Sequence, residues 1–449
     1  LIVDLSIKDG KIYTPQGFTE GSIYIDEGKI VAIAKSGLIR SDKIVDARGS
    51  FILPGMIDMH VHLRDPGSPE REDFESGTRA AACGGVTTVA DMPNTSPSVT
   101  TLEAFEEKRR IIRNKAVVDY ALIAGAGEVS GEALRLMGEA GAAAFKSFMI
   151  ARFKELAASD GQMLDNFQVI SKTGRPCLMH AENESIVAHG IEVAKKLNRK
   201  DPMAHIEFRP AVAEIEAVAR TILLARETSV KLHICHMTCK GGVEVLNRAK
   251  KEGLKVTGET SPNYLLLTSD AMLKLGPYAK IDPPLRSIDD QLSLWEALRN
   301  GVVDVLASDH APYTKEEKDL GWKDIFKAPS GSVAIETSLP LMLDSVNRGL
   351  ISLDRVVEVF SVNPAKILGL YPKKGALSVG SDADFVVVDM KRPFKILGER
   401  LHSKQKHTPF EGWRGEGIPL CTIIRGCIVM ESGEVVAKPG YGEFQKPVS

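Results

Sequence analysis

Between residues 56 and 309 the chain repeats one pattern, a short and nearly continuous apolar run followed by a stretch with helical spacing. The runs are Met56–His62, Val86–Met92, Val118–Ala124, Ala143–Met149, Pro176–Ala181, Lys231–Met237, Leu254–Thr260 and Val303–Asp309. A strand that is apolar on both faces has to be covered on both, the condition of a parallel sheet flanked by helices. Most intervals supply such a helix; Thr101–Lys115 sets Leu102, Phe105 and Ile112 along one face between charged residues. Eight strands of this kind over roughly 320 residues predict an α/β chain, a (β/α)8 TIM barrel with insertions. No GxGxxG follows a strand, which argues against an open, doubly wound nucleotide-binding sheet.

The two ends of the chain differ from this middle. Leu1–Lys8 alternates, Asp9-Gly10 signals a turn, and Ser22–Asp26 with Lys29–Ile33 around Glu27-Gly28 reads as a hairpin. Asp384–Asp389, Cys421–Arg425 and Cys427–Glu431 are short β-branched runs separated by glycine and polar residues. Together they predict a small β-sandwich domain assembled from both chain ends, residues 1–52 and 374–449, enclosing a barrel over 53–373.

Charge and composition narrow the function. Lys and Arg number 57 against 59 Asp and Glu, a net charge of −2, which disfavours nucleic acid as partner because counterion release needs a basic surface. A local basic pocket for a small-molecule acid remains compatible with it. No apolar run approaches the ~18 residues of a membrane span. Leu1-Ile2-Val3-Asp4-Leu5 lacks the basic and apolar segments of a signal peptide, and without a Met the numbering is expected to start inside the gene product. Six cysteines without a dense spacing read as reduced thiols and place the expected compartment in the cytoplasm.

In a barrel of this kind chemistry sits at the C-terminal ends of the strands. The first run ends in His60-Val61-His62, whose imidazoles, two residues apart in a strand, point to one side and can share a metal. Packing explains an isolated pair of this kind as readily. Other strands end in Lys146, His180, His236 and Asp309, and a lysine inside Ala143-Ala144-Phe145-Lys146 is costly to bury unless neutralised or paired. Six such side chains at the strand ends of one barrel point to a metal-dependent active site. His233 falls on the opposite strand face and reads as packed, or as supporting a ligand from behind, rather than as a ligand. Cys235 and Cys239 read as buried small hydrophobes, and His310 receives no ligand role. His189, His205, His402 and His407 read as structural or solvent-facing.

Pro54-Gly55-Met56-Ile57-Asp58-Met59-His60-Val61-His62 resembles the first-strand signature of the amidohydrolase superfamily. Leu63-Arg64-Asp65-Pro66-Gly67, Met92-Pro93-Asn94-Thr95, Ser308-Asp309-His310-Ala311-Pro312, Pro329-Ser330-Gly331 and Thr408-Pro409-Phe410-Glu411-Gly412 resemble the dihydroorotase family within it. Allantoinases and hydantoinases share most of these motifs.

The resemblance implies a hydrolase of C–N bonds in cyclic amides with two zinc ions. His60, His62 and Asp309 would hold one ion and His180 and His236 the other. Lys146, carboxylated, and a hydroxide would bridge the pair, and Asp309 would act as the catalytic acid and base. It further implies the interconversion of N-carbamoyl-L-aspartate and L-dihydroorotate in pyrimidine biosynthesis, and a homo-oligomer. Arg64 and Asn94 are the expected substrate-binding residues, Arg64 by a bidentate pair with a carboxylate. Its alternative role is an ion pair with Asp65 or Glu72. Hydantoinases carry a tyrosine five residues after the bridging lysine, where this chain has Ala151. Tyr313, Asp282 and Asn263-Tyr264 depart from the dihydroorotase pattern. Tyr313 is expected to supply a neutral hydroxyl to the substrate site, and Asp282 to point away or pair with Arg286. The alternatives are an allantoinase or hydantoinase-like hydrolase, or a catalytically silent partner protein; silent relatives lose metal ligands, and this chain keeps all six.

Overall fold

The computed structural model describes residues 2–448. Five strands open the chain: β1 (Ile2–Thr14), β2 (Gly17–Asp26), β3 (Lys29–Ala34), β4 (Arg40–Asp46) and β5 (Phe51–Pro54). The barrel strands follow as β6 (Met56–Val61), β7 (Val86–Asp91), β8 (Asp119–Gly125), β9 (Ala144–Phe148), β10 (Pro176–His180), β11 (Lys231–Ile234), β12 (Val256–Thr260) and β13 (Val305–Leu306). The chain returns in β14 (Phe385–Lys395), β15 (Arg414–Ile424), β16 (Cys427–Glu431) and β17 (Glu434–Val435).

Strands β6 to β13 pair in sequence order, each parallel to the next. The ring closes where Val61 bridges His310 in parallel and the His62 N–H bonds the His310 carbonyl at 2.8 Å. Every residue of β6 to β10 is buried, as a sheet covered on both faces demands. The expected helix after β7 runs Leu102–Ile112 and buries Phe105 and Ile112. It also buries Lys108, which reaches the Asp91 carboxylate at 2.5 Å and the Met92 carbonyl at 2.8 Å.

The two ends join in one nine-stranded sheet, ordered β17-β16-β15-β14-β5-β1-β2-β3 with β4 on β1. The β2–β3 hairpin forms as expected, with Glu27 at φ 47° and Gly28 at φ 73° in its tight turn. Asp9-Gly10 makes no chain reversal. β1 runs through it, and the register against β2 shifts between Ile7 and Gly10 while Asp9 takes φ 56°, which is a bulge. The bulge divides β1, so that Ile2–Lys8 pairs with β4 and Lys11-Ile12 with β5. The sheet is tied to the barrel by Lys374, which is buried and bonds Asp119 at the start of β8 together with Asp384 (2.6 Å) and Asp382 (2.9 Å). Among the described residues no helix is long and apolar enough to cross a membrane.

Candidate active site

The six strand-end residues face a cavity of about 260 Å³ or lie directly beneath it. Its lining includes His60, His62, His180, His236 and Asp309, with Arg64, Asn94, Asp282 and Tyr313 around them. His60 is the last residue but one of β6 and His62 lies just past it, and the Nε2 atoms of both are 3.4 Å from Asp309 Oδ1. Asp309 follows β13 at φ 49°, a left-handed turn that brings its carboxylate back over the barrel. Asp58 sets this junction, since its Oδ1 accepts from the backbone N–H of Ser308 (3.1 Å) and of His60 (3.3 Å).

Three of the four histidines, His60, His62 and His180, are oriented by what their other ring nitrogen touches. His60 Nδ1 bonds the Glu259 carboxylate, His62 Nδ1 meets Asn94 Oδ1 at 2.7 Å, and His180 Nε2 meets Glu182 Oε2 at 2.7 Å. This turns Nε2 of His60 and of His62 toward Asp309, and Nδ1 of His180 toward His236 Nε2 at 3.0 Å. Carboxylate or amide oxygen behind imidazole is the arrangement that fixes a metal-binding tautomer. His236, at φ 36°, has its buried Nδ1 without a partner. Burial pushes His62 down to about 4 and also lowers His180 and His236, so these rings are neutral, the ligating form. Burial opposes charge on His60 as well, but Glu259 and then Asp309 outweigh it and push that imidazole up to about 10. A cation is thus favoured between those two carboxylates. Lys146 is fully buried, its Nζ 2.9 Å from Cys235 Sγ and over the Phe148 ring. The donor set therefore fits a metal pair, with neutral imidazoles at His62, His180 and His236, a His60 ring drawn to positive charge by Glu259 and Asp309, an ionised aspartate and a buried amine on one floor. Cys239 is a buried hydrophobe as expected, whereas Cys235 touches the lysine of the site.

The substrate-side residues follow expectation in part. Arg64 forms no ion pair with Asp65 or Glu72. Asp65 is held by Lys115 at 2.7 Å, and Glu72 faces His310 and Ser403. The Arg64 guanidinium lies 4.6 Å from the Tyr313 ring centroid, and its buried Nε has no hydrogen-bond partner among the described residues. Tyr313 therefore offers Arg64 its ring face. Asn94 spends its amide oxygen on His62. Asp282 lines the cavity but does not pair with Arg286; it binds Arg152 and Arg209, the latter at 2.9 Å, with His205 at 3.3 Å. Arg286 instead donates to the Arg209 carbonyl (2.6 Å) and Thr238 (3.2 Å). Asn263 bonds Ser332 (3.0 Å) and Tyr264 the Pro283 carbonyl (2.8 Å), both buried.

Sequence reasoning missed Glu259, Glu182, Arg209, Arg152 and the aromatic pair Phe148 and Phe153. Glu259 and Glu182 carried a usable signal, since each is a carboxylate at or just past an apolar strand end. Phe148 and Phe153 stack at 3.9 Å and both pack against His180. Although residue 151 is Ala, the turn Ala151–Leu156 thus still supplies an aromatic wall, two residues further on.

The sequence matches the pattern of the amidohydrolase family over residues 51–429. It is 40% identical to an L-hydantoinase of Paenarthrobacter aurescens over 446 residues, 98% of this chain and 97% of that protein. It is 36% identical to a dihydroorotase of Methanosphaera stadtmanae over 419 residues, 92% and 94% of the two chains. The solved structure of an L-hydantoinase (dihydropyrimidinase) from Arthrobacter aurescens superposes with a TM-score of 0.97 at 39% identity, covering 99% of this chain and 100% of that one.

Proposed function

This chain belongs to the amidohydrolase family, in its cyclic-amide-hydrolysing branch, and from that membership we propose that it opens and closes an anionic cyclic ureide, L-dihydroorotate in the first place. The carrying observation is Arg64. A buried guanidinium on the cavity wall, stacked on Tyr313 and paired with no carboxylate among the described residues, favours an anionic ligand. Dihydroorotate brings such a carboxylate, and simple hydantoins do not.

The family generally uses a binuclear metal centre, commonly zinc. Here His60, His62 and Asp309 would hold one ion, His180 and His236 the other, and carboxylated Lys146 both. When bound, such a pair polarises the scissile carbonyl and makes water nucleophilic near neutral pH. The protein's own groups do the rest. Burial opposes ionisation of Asp309, but His60, His62 and His236 outweigh it and hold its carboxyl well below the usual range. It is therefore unprotonated at neutral pH, the form that can accept a proton. It takes the proton of the attacking water and delivers it to the ring nitrogen as the C–N bond breaks, leaving a ureido acid. Arg64 orients the substrate through its carboxylate, and Phe148 and Phe153 exclude water beside His180.

A second reading is hydrolysis of substituted hydantoins. The Phe148–Phe153 wall, which suits an apolar ring substituent, and the likeness to an L-hydantoinase favour it. The deciding experiment is a side-by-side assay of the zinc-loaded enzyme on dihydroorotate, carbamoyl aspartate, allantoin, hydantoin and dihydrouracil. Arg64→Met is expected to cut kcat/KM for dihydroorotate at least roughly tenfold, about 1.4 kcal/mol. Dominant turnover of a neutral hydantoin, unchanged in Arg64→Met, would replace the first reading with the second.

A further inference from the structure

Lys318 is completely buried in the short helix Lys315–Asp319, and no carboxylate forms an ion pair with it among the described residues. Its amine instead bonds three backbone carbonyls, those of Lys280 (3.3 Å), Pro329 (3.1 Å) and Gly331 (2.9 Å). Pro329 and Gly331 flank Ser330. Lys280, also buried, bonds the carbonyls of Ile325 (2.8 Å) and Ala328 (2.6 Å), and the Gly331 N–H returns to the Lys280 carbonyl at 2.9 Å. Two amines withdrawn from water are thus spent on the backbone of one segment, and desolvating an amine is costly unless its donors are used.

That segment forms a wall of the active-site cavity. Ser330 belongs to the lining, and its Oγ is buried without a hydrogen-bond partner among the described residues. Gly331, at φ 155°, lets the segment press onto the residues after Asp309, where a Cβ would come within 2.3 Å of the Ala311 carbonyl oxygen. A buried hydroxyl left unpaired is costly, so a polar ligand atom that satisfies it gains selectivity over one that does not. A hydroxyl both donates and accepts, which suits a ring whose carbonyls and N–H groups alternate.

We propose that Ser330 is a specificity-determining residue that hydrogen-bonds the ureide ring, and that Lys318 is the positioning residue that presents it. The inference rests on the reading of this site as a cyclic-ureide hydrolase. With the best substrate of the panel above, Ser330→Ala raises KM about tenfold and leaves kcat within about threefold, the loss of one buried hydrogen bond. Lys318→Met moves KM in the same direction, and the double variant has the KM of Ser330→Ala within about twofold, because the two act in series. An unchanged KM in Ser330→Ala overturns the contact, and multiplying effects in the double variant overturn the route through Ser330.

Amide hydrogen exchange of the metal-loaded protein tests the clamp without substrate. Lys318→Met, or Lys280→Met should the first not fold, is expected to speed exchange over residues 325–331 at least about tenfold and to spare β6 to β10. Unchanged exchange in that segment overturns the clamp. If the wild-type enzyme opens no cyclic ureide, the Ser330 contact falls with the functional reading, whereas exchange still decides the role of Lys318.

Discussion

Glu259 holds His60 from behind. Its carboxylate takes Nδ1 of His60 with one oxygen and Nε2 of His233 (3.0 Å) with the other, so that His60 meets the active site only through Nε2. His233, on the far face of β11, contributes by steadying that carboxylate, with its own Nδ1 on Thr257 at 2.8 Å. Glu259→Gln keeps the shape but loses the charge behind the imidazole. Metal affinity is expected to fall by about 10–100-fold, read by competition with a chromogenic chelator, while the fold remains intact by circular dichroism. Wild-type affinity in this variant would show that His60 needs no such support.

Lys146 is buried against Cys235 and Phe148, and no carboxylate forms an ion pair with it among the described residues. Lys146→Ala should lose activity together with most bound metal, and short carboxylic acids should restore part of both by standing in for the carbamate. Full metal content in the variant, with no response to added acid, would remove the bridging role.

Asp309→Asn retains an oxygen donor near His60 and His62 but not the base. Turnover should fall by about 10²–10⁴-fold with metal still bound, the usual span for loss of a general acid–base group. Single-turnover kinetics at matched metal content measure this, and near-normal rates would reassign the proton transfer.

Burial, reinforced by the neighbouring charge of Lys280, pushes the Lys318 amine down to about 7; burial pushes Lys280 down to about 8 against the pull of Asp282. In the unfolded chain a lysine titrates near 10.4. Between those values the unfolded state binds more protons than the native one, so stability rises with pH from about 7 and levels off above the ordinary lysine range. Each such lysine adds at most about 1.4 kcal/mol per pH unit. Denaturant unfolding between pH 7 and 9.5 should show a shallower rise in Lys318→Met than in the wild type. Equal slopes would mean that Lys318 titrates alike in both states.

The strand–helix alternation was legible because it is local. A buried parallel strand needs apolar residues on both faces, and each run states that need without reference to the rest of the chain. The six strand-end residues were legible for the same reason, since the strand end is where a barrel of this class opens to substrate. The nearest miss was Asp9-Gly10, where the residue types allow both a turn and a bulge, and the pairing of β1 with β4 and β5 chose the bulge.

Partner choice was not local. Asp282 has Arg286 close by in sequence, yet it is Arg152 and Arg209, brought in from other elements, that neutralise it. His60 and Glu259 meet across 199 residues, and Lys318 finds its acceptors on a segment whose own side chains give no hint of it. Sequence by itself determined which residues stand at the mouth of the barrel, because strand period and burial are short-range constraints. Only the tertiary structure decided which charge faces which, because hydrogen bonds and ion pairs act over a few ångströms between elements whose approach is set by the packing of the whole core.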